Sequence, residues 1–526
     1  MLVVNNQSPG PVIEANFGDR LIVHVINNLP NVTSIHWHGQ RQKGTNYYDG
    51  TFGITQCGIP PNGGSMVYNF TIQNTGTYWW HAHVSTQYAD GLYGALVLHS
   101  PNETARKLSP YDREVLVMMG DYYSTFTPAL VWRYLRFGTG IDGQPGDEPV
   151  GDGGIFNGIS QANCAFVPGT NATRPKRHHR GRGNSVKSTL RWKREPVSMV
   201  DQPTISEYFT CVDDPPKYGS LELSHGDTVR FRLINVGSFP AMRFSIDGHA
   251  LTIVEADGVA VEPRTVDRVL VDVAQRYSVI VTLNKAAGAY WMRADIETNR
   301  FRYLPPLFNS TTLAVLRYGT DPSTMPPDEV APDISSEVLQ SFDTSRDLVP
   351  ADKMTAPPAT REISVTVSMQ FDTLGNFLSF FDNVSWEPLV DSATLYNLYR
   401  DPNYSNQDNL IHSINVVQTV DLIVNSYDDS DHPFHLHGHE FFIVGQGVGS
   451  YTGQTLNVDN PMRRDTVSLP ASSWIALRFT ADNPGLWAFH CHITWHMEAG
   501  LMMQIANLDG LDKLRIPDEL RAFCTK

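Results

Sequence analysis

The stretch HCHITWH at 490–496 combines side chains that could do redox chemistry. On a strand, successive side chains point to opposite faces, so His490 and His492 would project one way and Cys491 the other. One strand would then serve two sites. A thiolate with an imidazole five residues on, His496, suits a cupric ion held by one Cys and two His, the second His coming from elsewhere. For this segment alone, a buried free cysteine among core histidines is the alternative interpretation.

The His-x-His spacing recurs near both ends of the chain. With 18 His in 526 residues, composition alone gives roughly one such pair by chance. Five are present: His36-Trp37-His38, His81-Ala82-His83, His435-Leu436-His437, His437-Gly438-His439 and His490-Cys491-His492. Each pair puts two imidazoles on one face of a strand, so four converging pairs supply eight ligands. His432 is left as the partner for Cys491 and His496.

These side chains favour copper over other metals. Imidazole binds copper, zinc, iron or nickel, but a single thiolate within so many imidazoles is typical of copper. Zinc is disfavoured because its structural sites use closed sets of four ligands and the sequence has no CxxC. A blue-copper electron carrier needs only one copper, so four His pairs favour an enzyme over a carrier.

Four segments resemble the copper signatures of the multicopper oxidases, most closely those of fungal laccases. They are HWHG at 36–39, WWHAH at 79–83, HPFHLHGH at 432–439 and HCHITWH at 490–496. The resemblance runs through nearly the whole chain and includes GTNYYDG at 44–50, STQYADGLYGALV at 85–97, FSIDGH at 244–249 and AQRYS at 274–278. It implies an all-β fold of three consecutive cupredoxin-like Greek-key barrels that hold one type 1 copper, one type 2 copper and a type 3 pair.

The resemblance also implies a role for each ligand. The type 1 site, which takes electrons from the substrate, is expected to use His432, Cys491 and His496. The type 2 ligands are expected to be His36 and His435. The type 3 pair is expected to use His38, His81 and His492 for one ion and His83, His437 and His490 for the other. Because Cys491 is covalently continuous with His490 and His492, we expect these three residues to carry electrons to the trinuclear cluster, where dioxygen becomes water.

Three positions near these motifs bear on the mechanism. Leu501 stands ten residues after the Cys, where some relatives have an axial Met, and Leu cannot bind copper; we expect a three-coordinate type 1 site of relatively high potential. Many laccases carry an acid three residues after the Cys, where this chain has Thr494. Asp49 matches a carboxylate that the family keeps near the cluster and is our candidate proton relay. An Asp before Gly in a turn is the alternative interpretation.

The reducing substrate is less well determined. A laccase would oxidise a small phenolic or aromatic compound in an apolar pocket over the type 1 His, with a carboxylate from the second domain to take the proton. The candidates for that acid are Asp213, Asp214 and Glu222. A ferroxidase shares the motifs and places acids beside type 1 to bind ferrous iron. Asp428, four residues before His432, stands where such an acid would be, although NSYDDSD at 425–431 also fits a solvated turn. Ascorbate oxidase is disfavoured by Leu501.

Strand-like runs bounded by Gly, Pro, Asn and Asp recur along the chain, and convincing amphipathic helices are few. With the resemblance, this pattern predicts barrels at about 1–105, 106–318 and 360–526, with a Pro-rich, acidic linker at 319–359. The ligand motifs lie only in the first and last barrels. The trinuclear cluster is therefore expected to form between them.

Charge and sequons indicate the compartment and exclude some partners. Forty Lys and Arg against 55 Asp and Glu give a net charge of −15, which argues against nucleic acid or an anionic membrane as a partner. No apolar run reaches the ~18 residues that a membrane span needs. Eight Asn-x-Ser/Thr sequons indicate a secreted glycoprotein whose leader is missing from this sequence. We expect a monomer.

Besides Cys491 the chain has Cys57, Cys164, Cys211 and Cys524, which allow three pairings. The resemblance implies a bridge from Cys57 to Cys524 and so leaves Cys164 with Cys211. One segment does not fit the family: residues 174–194 carry nine Lys or Arg and no acid. We interpret it as a disordered surface insertion or an error of sequence derivation rather than an anion-binding arm.

Overall fold

Strands dominate the computed structural model, and its helices are short. It describes residues 1–137, 145–161, 164–167, 208–211, 217–305, 308–327 and 347–525. Every sheet within these ranges lies in one of three consecutive stretches of chain. The all-β prediction is confirmed. The basic segment 174–194 and the middle of the predicted linker lie outside the described residues.

The first stretch folds into a four-stranded sheet in the order β1-β6-β5-β3 and a two-stranded sheet β2-β4. Its strands are β1 (Ile13–Asn16), β2 (Arg20–Asn27), β3 (Ile35–His38), β4 (Gly64–Thr71), β5 (Gly76–Ala82) and β6 (Tyr93–His99). A 3-10 helix covers Asn46–Tyr48. Side chains of β2 alternate between half-buried and exposed, as expected for a strand with one solvated face, whereas β5 is buried throughout.

The second stretch contains a seven-stranded sheet, β16-β15-β18-β13-β7-β8-β9, a five-stranded sheet, β12-β20-β19-β14-β17, and the pair β10-β11. Its strands are β7 (Arg113–Tyr122), β8 (Gly153–Phe156), β9 (Ile159–Ser160), β10 (Cys164–Val167), β11 (Tyr208–Cys211), β12 (Gly219–Leu223), β13 (Thr228–Asn235), β14 (Met242–Ile246), β15 (Leu251–Ala256), β16 (Val259–Val266), β17 (Arg268–Val271), β18 (Arg276–Thr282), β19 (Gly288–Ile296) and β20 (Thr311–Tyr318). Its helices are α1 (Thr104–Leu108) and α2 (Thr127–Arg136).

The third stretch contains a six-stranded sheet, β22-β21-β24-β29-β26-β27, and a five-stranded sheet, β23-β31-β30-β25-β28. Its strands are β21 (Arg361–Phe371), β22 (Phe377–Phe381), β23 (Ile411–Ile414), β24 (Thr419–Ser426), β25 (His432–Leu436), β26 (Phe441–Val448), β27 (Arg463–Arg464), β28 (Thr466–Leu469), β29 (Ser473–Thr480), β30 (Gly485–Cys491) and β31 (Met502–Asn507). Its helices are α3 (Thr394–Arg400), α4 (Thr494–Glu498) and α5 (Asp518–Ala522), with 3-10 turns at Leu511–Lys513 and Phe523–Thr525.

The pairing of β25 with β30 separates two sets of side chains. Phe434 lies opposite Cys491 and His435 lies opposite His490 in this antiparallel pair. Because side chains alternate along a strand, His432 and Phe434 share one face with Cys491, and the other face carries His435 and His490. Both faces are covered, since every residue of β30 is buried. The strand register thus places two groups of potential ligands back to back.

A disulfide joins Cys57 to Cys524, as the resemblance implied, and ties the end of the chain to the first barrel. For the other two cysteines the structure describes the backbone, in which Cys164 lies directly opposite Cys211 across β10 and β11. That bridge and the domain boundaries stay predictions. In the described part of the chain, no helix is both long enough and apolar enough to cross a membrane.

Candidate metal centre

The eight histidines of the four converging pairs lie together between the first and third barrels. Three groups have ligand atoms within 4.8 Å of one another: His36, His38 and His435; His38, His81 and His492; and His83, His437 and His490. Each of these side chains is buried. The pairing of β3 with β5 contributes by placing His36 opposite His81. The predicted trinuclear set is thus brought together by residues far apart in sequence.

Three of the clustered histidines have one nitrogen held by a backbone carbonyl and the other left for a ligand. The Nδ1 atoms of His36, His81 and His435 donate to the carbonyl oxygens of Asp49 (2.8 Å), Ala82 (3.0 Å) and Asp465 (2.8 Å), respectively. Their Nε2 atoms are buried with no hydrogen-bond partner among the described residues. A carbonyl acceptor fixes the tautomer, and the free nitrogen is the atom that a metal would take.

The remaining predicted ligands form a second, separate cluster on the opposite face of β30. The Nδ1 atoms of His432 and His496 lie 3.1 Å apart, and the Sγ atom of Cys491 lies 3.7 Å and 3.5 Å from them. All three residues are fully buried. A thiolate with two imidazole nitrogens, and no fourth His, Cys, Asp or Glu ligand among the residues that the structure describes, is the set that suits a type 1 cupric ion.

The chemistry of both clusters fits copper. Burial, and then the neighbouring histidines, lower the pKa of His437 well below its usual value, and the pKa of His435 is lowered for the same reasons. These imidazoles are therefore neutral and free to bind a cation. Burial raises the pKa of the Cys491 thiol, so the thiolate needs a cation to form. Softer imidazole and thiolate donors with few oxygen ligands match copper rather than a hard cation.

Comparison with known proteins gives the family. Laccase-1 of Cryptococcus neoformans is 34% identical over 545 residues, which covers 99% of this chain and 79% of the relative. Family models described as multicopper oxidase match residues 1–103, 113–321 and 379–510. The chain belongs to the multicopper oxidases. It is therefore a copper-dependent oxidoreductase, as the histidine and cysteine motifs predicted.

Solved multicopper oxidases share the fold of this chain. The laccase from Botrytis aclada superposes with a TM-score of 0.78 at 30% identity, over 99% of this chain and 86% of the laccase. Fet3p, a multicopper oxidase that functions in iron import, superposes with a TM-score of 0.80 at 25% identity, over 99% of this chain and 89% of Fet3p. The prediction of three cupredoxin-like barrels is confirmed. The similarity extends to laccases and to an iron-import protein, so it establishes the family but not the donor.

In this multicopper oxidase, Asp49 lies against the cluster rather than in a solvated turn. Its Oδ2 accepts hydrogen bonds from the Thr51 hydroxyl (2.6 Å) and from Nδ1 of His437 (2.9 Å). Its Oδ1 lies 3.4 Å from Nδ1 of His36 and has no hydrogen-bond partner among the described residues. Gly50, which follows, has a φ of 87°, and a Cβ there would lie 1.8 Å from the carbonyl oxygen of Ile35. Asp49 therefore stands in an Asp-Gly turn and also contacts the histidine cluster.

In both histidines of the thiolate cluster, Nδ1 lies beside Cys491 and Nε2 is the outer nitrogen. Each outer nitrogen meets a carboxylate. Nε2 of His432 lies 3.1 Å from Oδ2 of Asp428, and Nε2 of His496 lies 2.9 Å from Oε1 of Glu148. Burial alone would raise the pKa of Asp428, but the hydrogen bond and positive charge of His432 hold it at about 2. Asp428 was a candidate from the sequence, whereas sequence reasoning missed Glu148. It is 348 residues from His496 and belongs to no recognisable motif.

Of the three acids suggested from the second barrel, the one that the structure describes is paired elsewhere. Glu222 pairs with Arg317 at 2.9 Å on β12, and its side chain is 47% exposed. Asp213 and Asp214 lie outside the described residues. The segment that carries Glu148 is instead anchored to α2, because the amide of Gly146 donates to the carbonyl oxygen of Tyr134 at 2.9 Å. The contact of Glu148 with His496 is therefore visible in the folded structure but not in the sequence.

The two positions that depart from common family patterns are both buried. The Leu501 carbonyl accepts from the Cys491 amide at 3.2 Å, and the Leu501 amide donates to the His496 carbonyl at 2.9 Å. Leu501 is therefore held against two residues of the thiolate cluster. The Thr494 hydroxyl hydrogen-bonds the Tyr88 hydroxyl, and the Thr494 amide donates to the Ser238 carbonyl at 2.9 Å. An uncharged residue at 494 thus takes part in contacts between barrels.

Proposed function

We propose that this protein is a laccase-like oxidase that takes single electrons from small phenolic or aromatic compounds and passes them to dioxygen. Type 1 copper would be held by His432, Cys491 and His496, and type 2 copper by His36 and His435. The type 3 ions would be held by His38, His81 and His492 and by His83, His437 and His490. Bound copper would supply one-electron oxidation at the first site and reduction of dioxygen to water at the cluster.

The protein's own contribution to electron transfer is the continuity of β30. Cys491 faces the thiolate cluster, and its chain neighbours His490 and His492 face the histidine cluster. A short stretch of covalent backbone therefore joins Cys491 to each of these two histidines, and the two stretches connect the two sites. Both flanking residues are buried, which keeps this connection away from bulk solvent. We propose Cys491, His490 and His492 as the residues that carry the electrons.

The contact between Glu148 and His496 is the observation that best supports a phenolic donor. Oxidation of a phenol releases a proton, and a carboxylate 2.9 Å from the outer imidazole nitrogen can accept it where the electron leaves. Glu148 is itself 7% exposed, which places the acceptor close to solvent-accessible surface but mostly out of water. Secretion and the monomeric state stay predictions alongside this proposal.

Ferrous iron is the second candidate, and Asp428 is the observation that favours it. Two carboxylates beside the two outer nitrogens supply the oxygen ligands and negative charge that a hard cation prefers. Arg302 opposes this interpretation, because it forms an ion pair with Asp429 and its pKa is raised by that pair and by the charges of Glu148 and Asp428. Because this guanidinium is paired with Asp429, that third acid is occupied and is not available as a further oxygen ligand for a divalent cation. We therefore prefer the phenol.

A steady-state comparison of a dimethoxyphenol with ferrous iron, followed by oxygen consumption, tests this proposal. We expect turnover of the phenol with one dioxygen consumed for every four electrons donated. Slow phenol oxidation together with tight, saturable ferrous iron oxidation would reverse the preference. Failure of both donors to drive oxygen uptake by copper-loaded protein would contradict the proposed function as a whole.

Substitution of Leu501 tests the proposed axial position. Leu501→Met adds a weak thioether ligand that favours the cupric state, so the type 1 reduction potential should fall. We expect a change on the order of 60 mV, about tenfold in a one-electron equilibrium. Redox titration of the blue absorption measures it, with Met503→Leu as a control on a neighbouring buried residue. An unchanged or raised potential with copper content intact would show that position 501 does not face the metal.

Asp49 is proposed as the proton relay of the cluster, since its Oδ1 is buried beside His36 without a hydrogen-bond partner among the described residues. Asp49→Asn should slow aerobic turnover about a hundredfold, the usual range for loss of a general acid. Anaerobic reduction of the blue colour should keep its rate. Stopped-flow measurement separates these steps, with Thr51→Val as a control that keeps the carboxylate. Reoxidation by dioxygen at the wild-type rate would contradict the relay.

A further inference from the structure

Arg276 is a buried guanidinium that contacts all three barrels. It begins β18 in the second barrel and is 0% exposed. Its Nη1 and Nη2 atoms donate to Oδ1 and Oδ2 of Asp465 at 2.7 Å and 2.6 Å, in the third barrel. Its Nε atom donates at 3.0 Å to the carbonyl oxygen of Thr77, on β5 of the first barrel. One side chain therefore links the two barrels that carry the histidines.

Its partner Asp465 holds two of the cluster histidines. The carbonyl oxygen of Asp465 accepts from Nδ1 of His435 at 2.8 Å, and its Oδ1 lies 3.4 Å from Nε2 of His38. The Thr466 hydroxyl donates to the same Oδ1 at 2.9 Å and lies 3.2 Å from Nε2 of His38. The bidentate pair with Arg276 thus fixes the orientation of a residue that touches a ligand from each copper-bearing barrel.

The second barrel also contacts β5 of the first barrel, through charged side chains around Thr77. The Thr77 hydroxyl accepts from Nη1 of Arg232 at 2.8 Å, and the Thr77 amide donates to Oε1 of Glu255 at 3.2 Å. With the Arg276 contact, every polar group of Thr77 has a partner in the second barrel. The strand runs on from Thr77 to His81, which lies opposite His36 of β3, so these contacts help to position both histidines.

We propose that Arg276 is a positioning residue for the type 2 copper: by bonding to Thr77 and Asp465 together, it sets the separation of His36 in the first barrel from His435 in the third. This inference rests on the proposed assignment of those two histidines. It gives the second barrel, which has no proposed ligand, a part in copper retention. Lysine keeps the charge but cannot make the forked contact to a carboxylate and a third contact to a carbonyl at once.

Arg276→Lys tests the proposal, with Arg478→Lys as its matched control. Arg478 also forms a buried bidentate pair: its Nε and Nη2 atoms donate to Oδ1 and Oδ2 of Asp421 at 2.6 Å and 2.8 Å. Neither Arg478 nor Asp421 is described in contact with a proposed copper ligand. Full-length, copper-loaded variants are titrated with a chelator while type 2 copper is followed by EPR and type 1 copper by its blue absorption. In Arg276→Lys, type 2 affinity should fall about 10- to 100-fold, as expected for loss of a group that supports ligands, with type 1 copper retained.

Several outcomes would overturn the proposal. Wild-type type 2 affinity in Arg276→Lys would do so, and so would an equal loss in Arg478→Lys, which would show general destabilisation. If Arg276→Lys does not fold, the same titration is done on Asp465→Asn, which keeps the side-chain shape but weakens the pair with Arg276. Selective loss of type 2 copper from that variant supports the proposal. Retention of type 2 copper with wild-type affinity overturns it. A wild-type protein without a type 2 signal would instead contradict the proposed function.

Discussion

Cys491→Ser is expected to abolish both the blue absorption and donor-driven turnover while copper stays in the trinuclear cluster. Cys491 supplies the thiolate of its cluster, with Sγ 3.5 Å and 3.7 Å from the two imidazole nitrogens, and a serine hydroxyl neither ionises there nor transfers charge to copper. The eight clustered histidines need nothing from this side chain. Turnover should fall about a thousandfold or more, because the entry point for electrons is lost.

Optical and EPR spectra of the copper-loaded variant, with metal analysis, measure this effect. The control is the type 2 signal, which should persist because His435 lies on the other face of the sheet from the thiolate and His36 comes from β3 of the first barrel. Blue colour retained in Cys491→Ser would refute the type 1 assignment. Loss of all copper would mean that the two clusters do not form independently.

The second large effect is expected on substitution of Asp428 and Glu148, the carboxylates whose roles differ between the two candidate donors. With a phenol, Asp428→Ala should leave turnover within a few-fold, because Asp428 contacts His432 without being needed for the proton. Glu148→Gln should lower kcat/KM for the same phenol by about a hundredfold, because the proton acceptor beside His496 is lost. If ferrous iron is the donor, Asp428→Ala instead raises its KM sharply through loss of a ligand and of Coulomb attraction.

Two controls make this comparison specific. Ferrocyanide donates an electron without a proton, so its oxidation by Glu148→Gln should stay near the wild-type rate once the type 1 potential is taken into account. Asp429→Asn removes a nearby charge that is paired with Arg302 rather than with a cluster histidine, and it should leave the phenol reaction unchanged. Equal losses with phenol and ferrocyanide would show that Glu148 tunes the copper and does not accept the proton.

The histidine cluster and the thiolate cluster could be proposed from the sequence because their residues recur at short, regular spacings. HPFHLHGH and HCHITWH alternate at the strand period, so the separation of His432 and Cys491 from His435 and His490 follows from local geometry. The all-β class followed from strand-like runs in the same way. The bridge between Cys57 and Cys524 came from resemblance, since four cysteines alone allow three pairings.

The supporting residues could not be predicted in this way. Glu148 reaches His496 across 348 positions, and Arg276 meets Asp465 across 189. A carboxylate or a guanidinium is common in any sequence, and no spacing marks the one that will be buried against a ligand. Such contacts depend on how the barrels pack, which is set by many weak interactions at once. The candidate acids Asp213, Asp214 and Glu222 were chosen by approximate position and did not identify Glu148.

Copper stoichiometry combined with EPR tests directly whether this chain forms one thiolate copper site and one trinuclear cluster. The protein is loaded with copper, freed of excess metal and analysed for copper per chain, with spin integration of the EPR signal. We expect four copper ions per chain, of which two are visible by EPR, one with the small hyperfine splitting of a copper thiolate. A single copper per chain, or a blue site without the type 2 signal, would contradict it.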